Sequence, residues 1–350
     1  MKGSIRLFKI FDISINIHVT FLLLLLLFLS GGLKWLFLIV AIFCFVTLHE
    51  LCHSLVAKHY GIQVREITLL PIGGIASMTK IPDRPSQEFF ISIAGPLFNI
   101  LVVVALFYPL RYILGPDVLF HPLSTQSWPL TIAHIYWINL ILAAFNLIPA
   151  FPMDGGRVLR ALLAAKIGYQ KATKIAVNFG HIFALFFAYL GITRLNLVLI
   201  AIAIFIYMAA SSEELQVDIK ETLKKFRVRD ILSRDFYTLK SDSTLAKVLE
   251  TIFHSHQEDF PIVDDSKLVG FITRQDIITN IHQFGMEKTV KDIMRRDFPK
   301  VKDTDSLVHV QNLMQENDIR AIPVVRADEV MGVITIEDIG RIYAMISQRA

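Results

Sequence analysis

The sequence predicts a multi-pass α-helical membrane protein, with about six transmembrane helices and a short membrane-associated β segment, followed by a soluble α/β domain. Three observations carry that prediction. Charge divides the 350 residues unevenly: residues 1–212 hold 22 Asp, Glu, Lys and Arg, and residues 213–350 hold 44. Apolar stretches able to cross, or nearly cross, about 30 Å of hydrocarbon recur six times in the first part. The second part repeats itself at an offset of 62 residues, as a tandem duplication does.

The expected layout is a membrane domain over 1–212, a linker over 213–225 and a repeat pair over 226–350, with copies at about 226–286 and 288–350. The spans are read at 17–33, 34–57, 89–114, 131–149, 174–191 and 195–211. The leucine run at 22–32 is read as part of an uncleaved first span, because further spans follow. An even number of spans puts both termini on one side. If that side is the cytosol, its flanks hold twelve Lys and Arg, among them Lys58, Arg157 and Arg160, against Lys34, Arg111 and Arg194 on the other. The asymmetry predicts a cytoplasmic-membrane protein with cytosolic N- and C-termini. The excess of positive charge lies wholly in the membrane part, and the repeat pair has 20 basic against 24 acidic residues, so no nucleic-acid partner is expected. Cys44 and Cys52 are about 12 Å apart along one helix, too far for a disulfide, and are read as small apolar filler.

Residues 58–88 alternate as strands do and contain Pro71, Gly73 and Gly74. This segment is too apolar for a plain loop and too broken for a span, so a short sheet or re-entrant hairpin entering from the cytosolic side is expected. In the soluble part, Val228-Arg-Asp-Ile returns as Val290-Lys-Asp-Ile, Pro261 as Pro323, and Gly270-Phe-Ile-Thr-Arg-Gln-Asp as Gly332-Val-Ile-Thr-Ile-Glu-Asp. Each copy reads helix, strand, strand, helix.

The second span carries Leu48-His-Glu-Leu-Cys-His-Ser-Leu. Ionisable groups inside a bilayer are costly, and by default they mark a functional site. His49 and His53, at i and i+4, fall on one helix face about 6 Å apart along the axis, where both imidazoles reach one tetrahedral ion. Glu50 points to the open coordination position, placed to take a proton from attacking water and pass it to a leaving amine. This is the logic of H-E-x-x-H in metal-dependent peptide hydrolysis. His49 lies roughly 14 Å from the basic edge at Lys58. A third ligand must come from elsewhere, and only Asp12, Glu50, Glu66, Asp83, Glu88, Asp117 and Asp154 precede Ser212 as acids. Asp154 stands in Asn146-Leu-Ile-Pro-Ala-Phe-Pro-Met-Asp-Gly-Gly-Arg, where prolines and glycines break the helix and let it turn inward; an ordinary helix cap is the other reading.

With His49-Glu50-x-x-His53, the Asn146 to Gly155 segment and Ala94-Gly95-Pro96-x-x-Asn99 together, the chain resembles the prokaryotic site-2-type intramembrane zinc metalloproteases that carry tandem CBS domains. The resemblance covers nearly the whole chain. It implies one Zn2+ held by His49, His53 and Asp154, with Glu50 as general base and Asn146 holding extended substrate or the developing oxyanion. It also implies a substrate with one or two spans, such as an anti-sigma or pro-sigma-like regulator. The CBS resemblance implies an adenine nucleotide, ATP, ADP or AMP, bound in a cleft of the pair near Thr273, Asp276, Thr335 and Asp338, and a homodimer formed through the pair. T-x-x-D is equally a helix capping box, and Arg274 and Glu337 depart from the pattern, leaving open which cleft is filled. The loop at 112–130 is too short to hold a PDZ-sized insertion. His18 matches a histidine frequent at the start of the first span, with a membrane-edge role as the alternative. His59, His121, His134 and His181 have no ligand-like spacing. The competing function is an ion transporter or channel gated by the CBS pair, with a metal transit site; Glu50 discriminates, since transit needs no base.

Overall fold

The computed structural model describes residues 3–71, 73–78, 82, 84–115, 128–232, 235–255, 257–326 and 329–347. Asp83, Asp117, His121 and most of the loop at 112–130 lie outside the described residues. The chain divides into two compact units, Met1–Val217 and Asp218–Ala350.

The first unit opens with strands β1 (Ser4–Ile10) and β2 (Ile13–His18), then helices α1 (Val19–Leu29) and α2 (Leu33–His59). Strands β3 (Val64–Leu70) and β4 (Gly73–Met78) follow, then α3 (Pro85–Leu114), α4 (Trp128–Asn146), α5 (Asp154–Ile167), α6 (Tyr169–Thr193) and α7 (Leu197–Leu223), whose end from Asp218 onward belongs to the second unit. The four strands form one sheet in the order β1-β2-β3-β4, with β2 and β3 parallel and the outer pairs antiparallel. Sequence reasoning expected strands only at 58–88, yet β2 alternates strictly through Ile13, Ile15 and Ile17. Ile13, Ile15 and Ile67 point to one face and pack with Leu51 and Ala57 of α2. That burial fixes the sheet against the helix that carries the histidine motif.

The first span is shorter than expected. Residues 17–18 finish β2, Gly31 and Gly32 end the turn before α2, and α1 between them has 11 residues. Such a helix covers about 16 Å, roughly half the hydrocarbon. His18 caps α1, its Nδ1 accepting from the Thr20 backbone N–H at 3.3 Å. Among the described residues, four helices are long and apolar enough to cross a membrane: α2, α3, α6 and α7. Outward side chains such as Leu26, Leu27, Leu101, Leu185 and Leu197 are more than half exposed, a surface for lipid rather than water. α3 runs unbroken through Pro96 and Pro109. Residues 213–225, expected as a linker, are helical up to Leu223.

In the second unit, the first copy comprises α8 (Leu245–Ser255), β5 (Phe260–Asp264), β6 (Lys267–Ile272) and α9 (Arg274–Phe284). The second comprises α10 (Leu307–Asn317), β7 (Ala321–Arg326), β8 (Glu329–Thr335) and α11 (Ile336–Ser347). The repeat extends to single bonds: bulges fall at Ile262/Val263 and at Val324/Val325. The copies also exchange their leading segments. Val228 N–H donates to Asp305 O and Val290 N–H to Ser243 O, each at 2.9 Å. Val228 is buried in the core of the second copy and Val290 in that of the first. Boundaries drawn at 226–286 and 288–350 follow the repeat in sequence, whereas the cores interleave.

Candidate active site

α2 places His49 and His53 one turn apart, and their rings meet edge to face with centroids 4.7 Å apart. Their Nε2 atoms lie 3.1 Å from one another, and each lies 3.2 Å from Asp154 Oδ2. The three donors thus form a nearly equilateral triangle, the one group of three or more metal-binding side chains among the described residues. In a tetrahedral zinc site with bonds near 2.0 Å, donor atoms stand roughly 3.3 Å apart. The donor set and its spacing fit the ion.

The other ring nitrogens settle the tautomers. His53 Nδ1 lies 2.6 Å from the Ile91 carbonyl, which can only accept, so the proton sits on Nδ1 and the Nε2 lone pair faces the triangle. His49 Nδ1 donates to Asn99 Oδ1 at 3.1 Å. Both acceptors belong to α3, and such outer partners fix ring orientation in metal sites. Between them Gly95 lets α3 approach: a Cβ there would lie 2.3 Å from His53 Nε2 and 2.5 Å from His49 Nε2.

Asp154 arrives from the opposite side. α4 ends at Asn146, and the chain crosses Pro149 and Pro152 before α5 begins at Asp154 itself. Gly155 and Gly156 make the turn feasible, because a Cβ at either would fall 2.3–2.6 Å from backbone atoms of residues 147–151. The turn is seated on α6, where Phe151 N–H donates to Ala176 O at 3.2 Å. Asn146, half buried, lies seven residues before the turn's end. Glu50 is half buried beside the triangle, and strand β4 lies over it: a Cβ on Gly74 would be 2.8 Å from Glu50 Cγ.

Sequence reasoning missed the residues behind Asp154. Arg157 and Arg160, counted there as cytosolic flank charges, are ion-paired: Arg160 with Glu88 at 2.5 Å and Glu213 at 3.2 Å, Arg157 with Glu213 at 3.0 Å. The signal was present in the spacing of Arg157 and Arg160, one turn apart after Asp154. His181 is likewise occupied structurally, contacting Ser211 Oγ at 3.1 Å and stacking on Tyr207.

In the second unit both T-x-x-D segments form capping boxes. Thr273 and Asp276 are joined by a 2.6 Å bond, Thr335 and Asp338 by a 2.8 Å bond. The copies differ in what holds the carboxylate. Asp276 takes a two-pronged grip from Arg295, at 2.8 and 2.9 Å, whereas Asp338 binds Arg341 of its own helix at 2.6 Å. Burial works against ionisation of Asp276, but Arg295 and Thr273 outweigh it and hold the carboxyl below the usual carboxylate range. Phe271, Thr273, Arg295 and Phe298 line a cleft there. The two departures from the pattern are accounted for by ion pairs, Arg274 with Glu258 and Glu337 with Arg320.

Two histidines and a carboxylate on the apolar helices of the first unit make the kind of donor set a metalloprotease uses, and the second unit is a tandem α/β pair. Residues 37–124 and 117–187 match the model of peptidase family M50, and residues 228–283 and 290–344 match the CBS domain model. The zinc metalloprotease MJ0392 of Methanocaldococcus jannaschii is 36% identical over 351 aligned residues, covering 99% of this chain and 98% of that protein. Stage IV sporulation protein FB of Bacillus subtilis is 27% identical over 207 residues, 58% of this chain and 67% of that one. A solved site-2 protease from Methanocaldococcus jannaschii shares 42% identity over 60% of this chain and 95% of its own, with a TM-score of 0.46. The chain belongs to peptidase family M50, the site-2 protease family, and carries a tandem CBS pair.

Proposed function

We propose that the protein is an intramembrane zinc metalloendopeptidase of the cytoplasmic membrane, with cytosolic termini, that cuts single- or double-span regulators near the cytosolic end of a span. The observation that carries this reading is the triangle of His49 Nε2, His53 Nε2 and Asp154 Oδ2, 3.1–3.2 Å on each side, with both imidazoles locked to present lone pairs. A zinc ion held by these three residues would supply the Lewis acidity that polarises the scissile carbonyl. Glu50 takes the proton of the attacking water and returns it to the leaving amine. Asn146 is assigned to the extended substrate or the developing oxyanion.

A helical substrate hides its carbonyls, so it must be drawn out as a strand. Of the sheet's two edges, β1 and β4, the one that receives it is β4, residues 73–78, because β4 lies against Glu50. Backbone pairing to β4 brings the scissile bond over Glu50.

The CBS pair serves as regulator. An adenine nucleotide is assigned to the cleft lined by Thr273, Arg295 and Phe298, where the half-buried Phe298 ring suits the base and the Arg295 guanidinium, once released from Asp276, suits phosphate. Its binding favours one of two arrangements of the protease, and two chains pair through this unit. Equal turnover with and without saturating ATP, ADP or AMP, or a monomer at working concentration, would refute those parts. The protease reading is tested by chelation: stripping metal from the detergent-solubilised chain abolishes cleavage of a single-span test substrate, and stoichiometric zinc restores it. Unchanged cleavage after complete stripping refutes it.

A further inference from the structure

The histidines and Asp154 come from different helices, and nothing in α2 fixes where α5 stands. What does so is a buried ionic cluster behind the site. Arg160 and Glu88 are both 2% exposed. Arg160 Nε donates to Glu88 Oε1 at 2.8 Å, its Nη1 to Glu213 Oε2 at 3.2 Å, and Tyr169 donates to the other oxygen of Glu88. Its guanidinium is sandwiched between two rings, 4.7 Å from the centroid of Phe151 and 5.0 Å from that of Tyr169.

Each partner is tied to the metal triangle by its place in the chain. Glu88 stands on α3 one turn before Ile91, whose carbonyl orients His53. Arg160 stands on α5, the helix that begins with Asp154, and Phe151 lies in the turn that delivers Asp154. The Arg160–Glu88 pair therefore pins the helix of the third donor to the helix that orients the other two.

Two arginines and two glutamates make the cluster neutral, so it leaves the net charge of the site unchanged and acts through geometry. Buried ions cost desolvation that an apolar pair would avoid. Their return is directional: a planar fork held between rings tolerates little sliding or rotation. We propose that Arg160 is a positioning residue, clamped to Glu88 and between Phe151 and Tyr169, that holds Asp154 in register with His49 and His53.

This rests on the metal-centre reading, and metal affinity separates the two. The full chain in detergent is assayed for zinc affinity by chelator competition, and for the visible spectrum of its cobalt form, in wild type, Arg160→Lys and Tyr169→Phe. Lysine keeps the charge and loses the fork and the stacking. Arg160→Lys is expected to weaken zinc binding by about 10-fold, the lower end of the loss seen when a direct partner of a metal ligand is removed, because Arg160 acts through the placement of Asp154, and to shift the cobalt bands. A folded Arg160→Lys chain with wild-type affinity and spectrum overturns the proposal. If that variant fails to fold, Tyr169→Phe decides: about a threefold or greater loss supports the proposal, and wild-type affinity overturns it. A wild type that holds no zinc overturns the metal-centre reading and this proposal with it.

Discussion

Asn99, fully buried on α3, accepts a hydrogen bond from His49 Nδ1 at 3.1 Å. It stands fifty residues from its partner in sequence, yet it decides which nitrogen of His49 faces the metal triangle. Asn99→Leu removes that acceptor and frees the tautomer. Zinc affinity should fall about 10- to 100-fold, measured by chelator competition, with helix content unchanged.

Gly95 occupies the closest approach of α3 to the imidazoles, 2.3 Å for a built Cβ. Gly95→Ala should abolish stoichiometric zinc binding and cleavage together. Gly340→Ala is the matched control, since nothing lies within 4 Å there and its φ is ordinary. It should leave cleavage intact and add up to about 1 kcal/mol of stability, read from the unfolding temperature.

Gly74 on β4 separates catalysis from metal binding. A methyl there meets Glu50 Cγ at 2.8 Å, and in this account Glu50 is not a ligand. Gly74→Ala should lower kcat while zinc content stays at one per chain. Prolines placed singly at Ile75, Ala76 and Ser77 should raise KM wherever the lost N–H faces away from β3.

Asp276 reports on acid stability. Its carboxyl is held below the usual carboxylate range in the folded chain, burial opposing and the Arg295 and Thr273 hydrogen bonds outweighing it. A depressed folded pKa contributes stability that is complete above the unfolded pKa and is lost as pH falls through the folded one. Wild type should therefore exceed Asp276→Asn in unfolding temperature at about pH 6, and the gap should close towards about pH 3. A gap that widens with acid would contradict the assignment.

Saturating nucleotide should raise the unfolding temperature of the wild type by mass action. Thr273→Val and Arg295→Met, which remove the hydroxyl and the guanidinium of the cleft, should abolish that shift. Retention of the full shift in both would move the nucleotide to another cleft.

Much of this site was legible because its chemistry is local. His49, Glu50 and His53 lie within five residues, and helical spacing alone brings the imidazoles together. Asp154 was legible by elimination among seven acids and by the prolines and glycines around it. Residues whose role depends on packing between distant helices were not legible. Asn99 stood out in the sequence only as part of Ala94-Gly95-Pro96-x-x-Asn99, with nothing to tie it to His49, and Glu88 and Arg160 resemble ordinary flank residues until α3 and α5 are docked. β1 and β2 were hidden by the leucine run that follows, although Ile13-Ser-Ile-Asn-Ile alternates as a half-buried strand does. The interleaved cores of the CBS pair could not be read from its repeat, because an offset of 62 residues is the same whether each leading segment packs at home or on its neighbour.

The most direct test compares wild type with Glu50→Gln, quantifying bound zinc in each beside cleavage of a single-span test substrate. The account predicts one zinc per chain in both and cleavage only by the wild type. Cleavage by Glu50→Gln at the wild-type rate, or absence of zinc from the wild type, would contradict it.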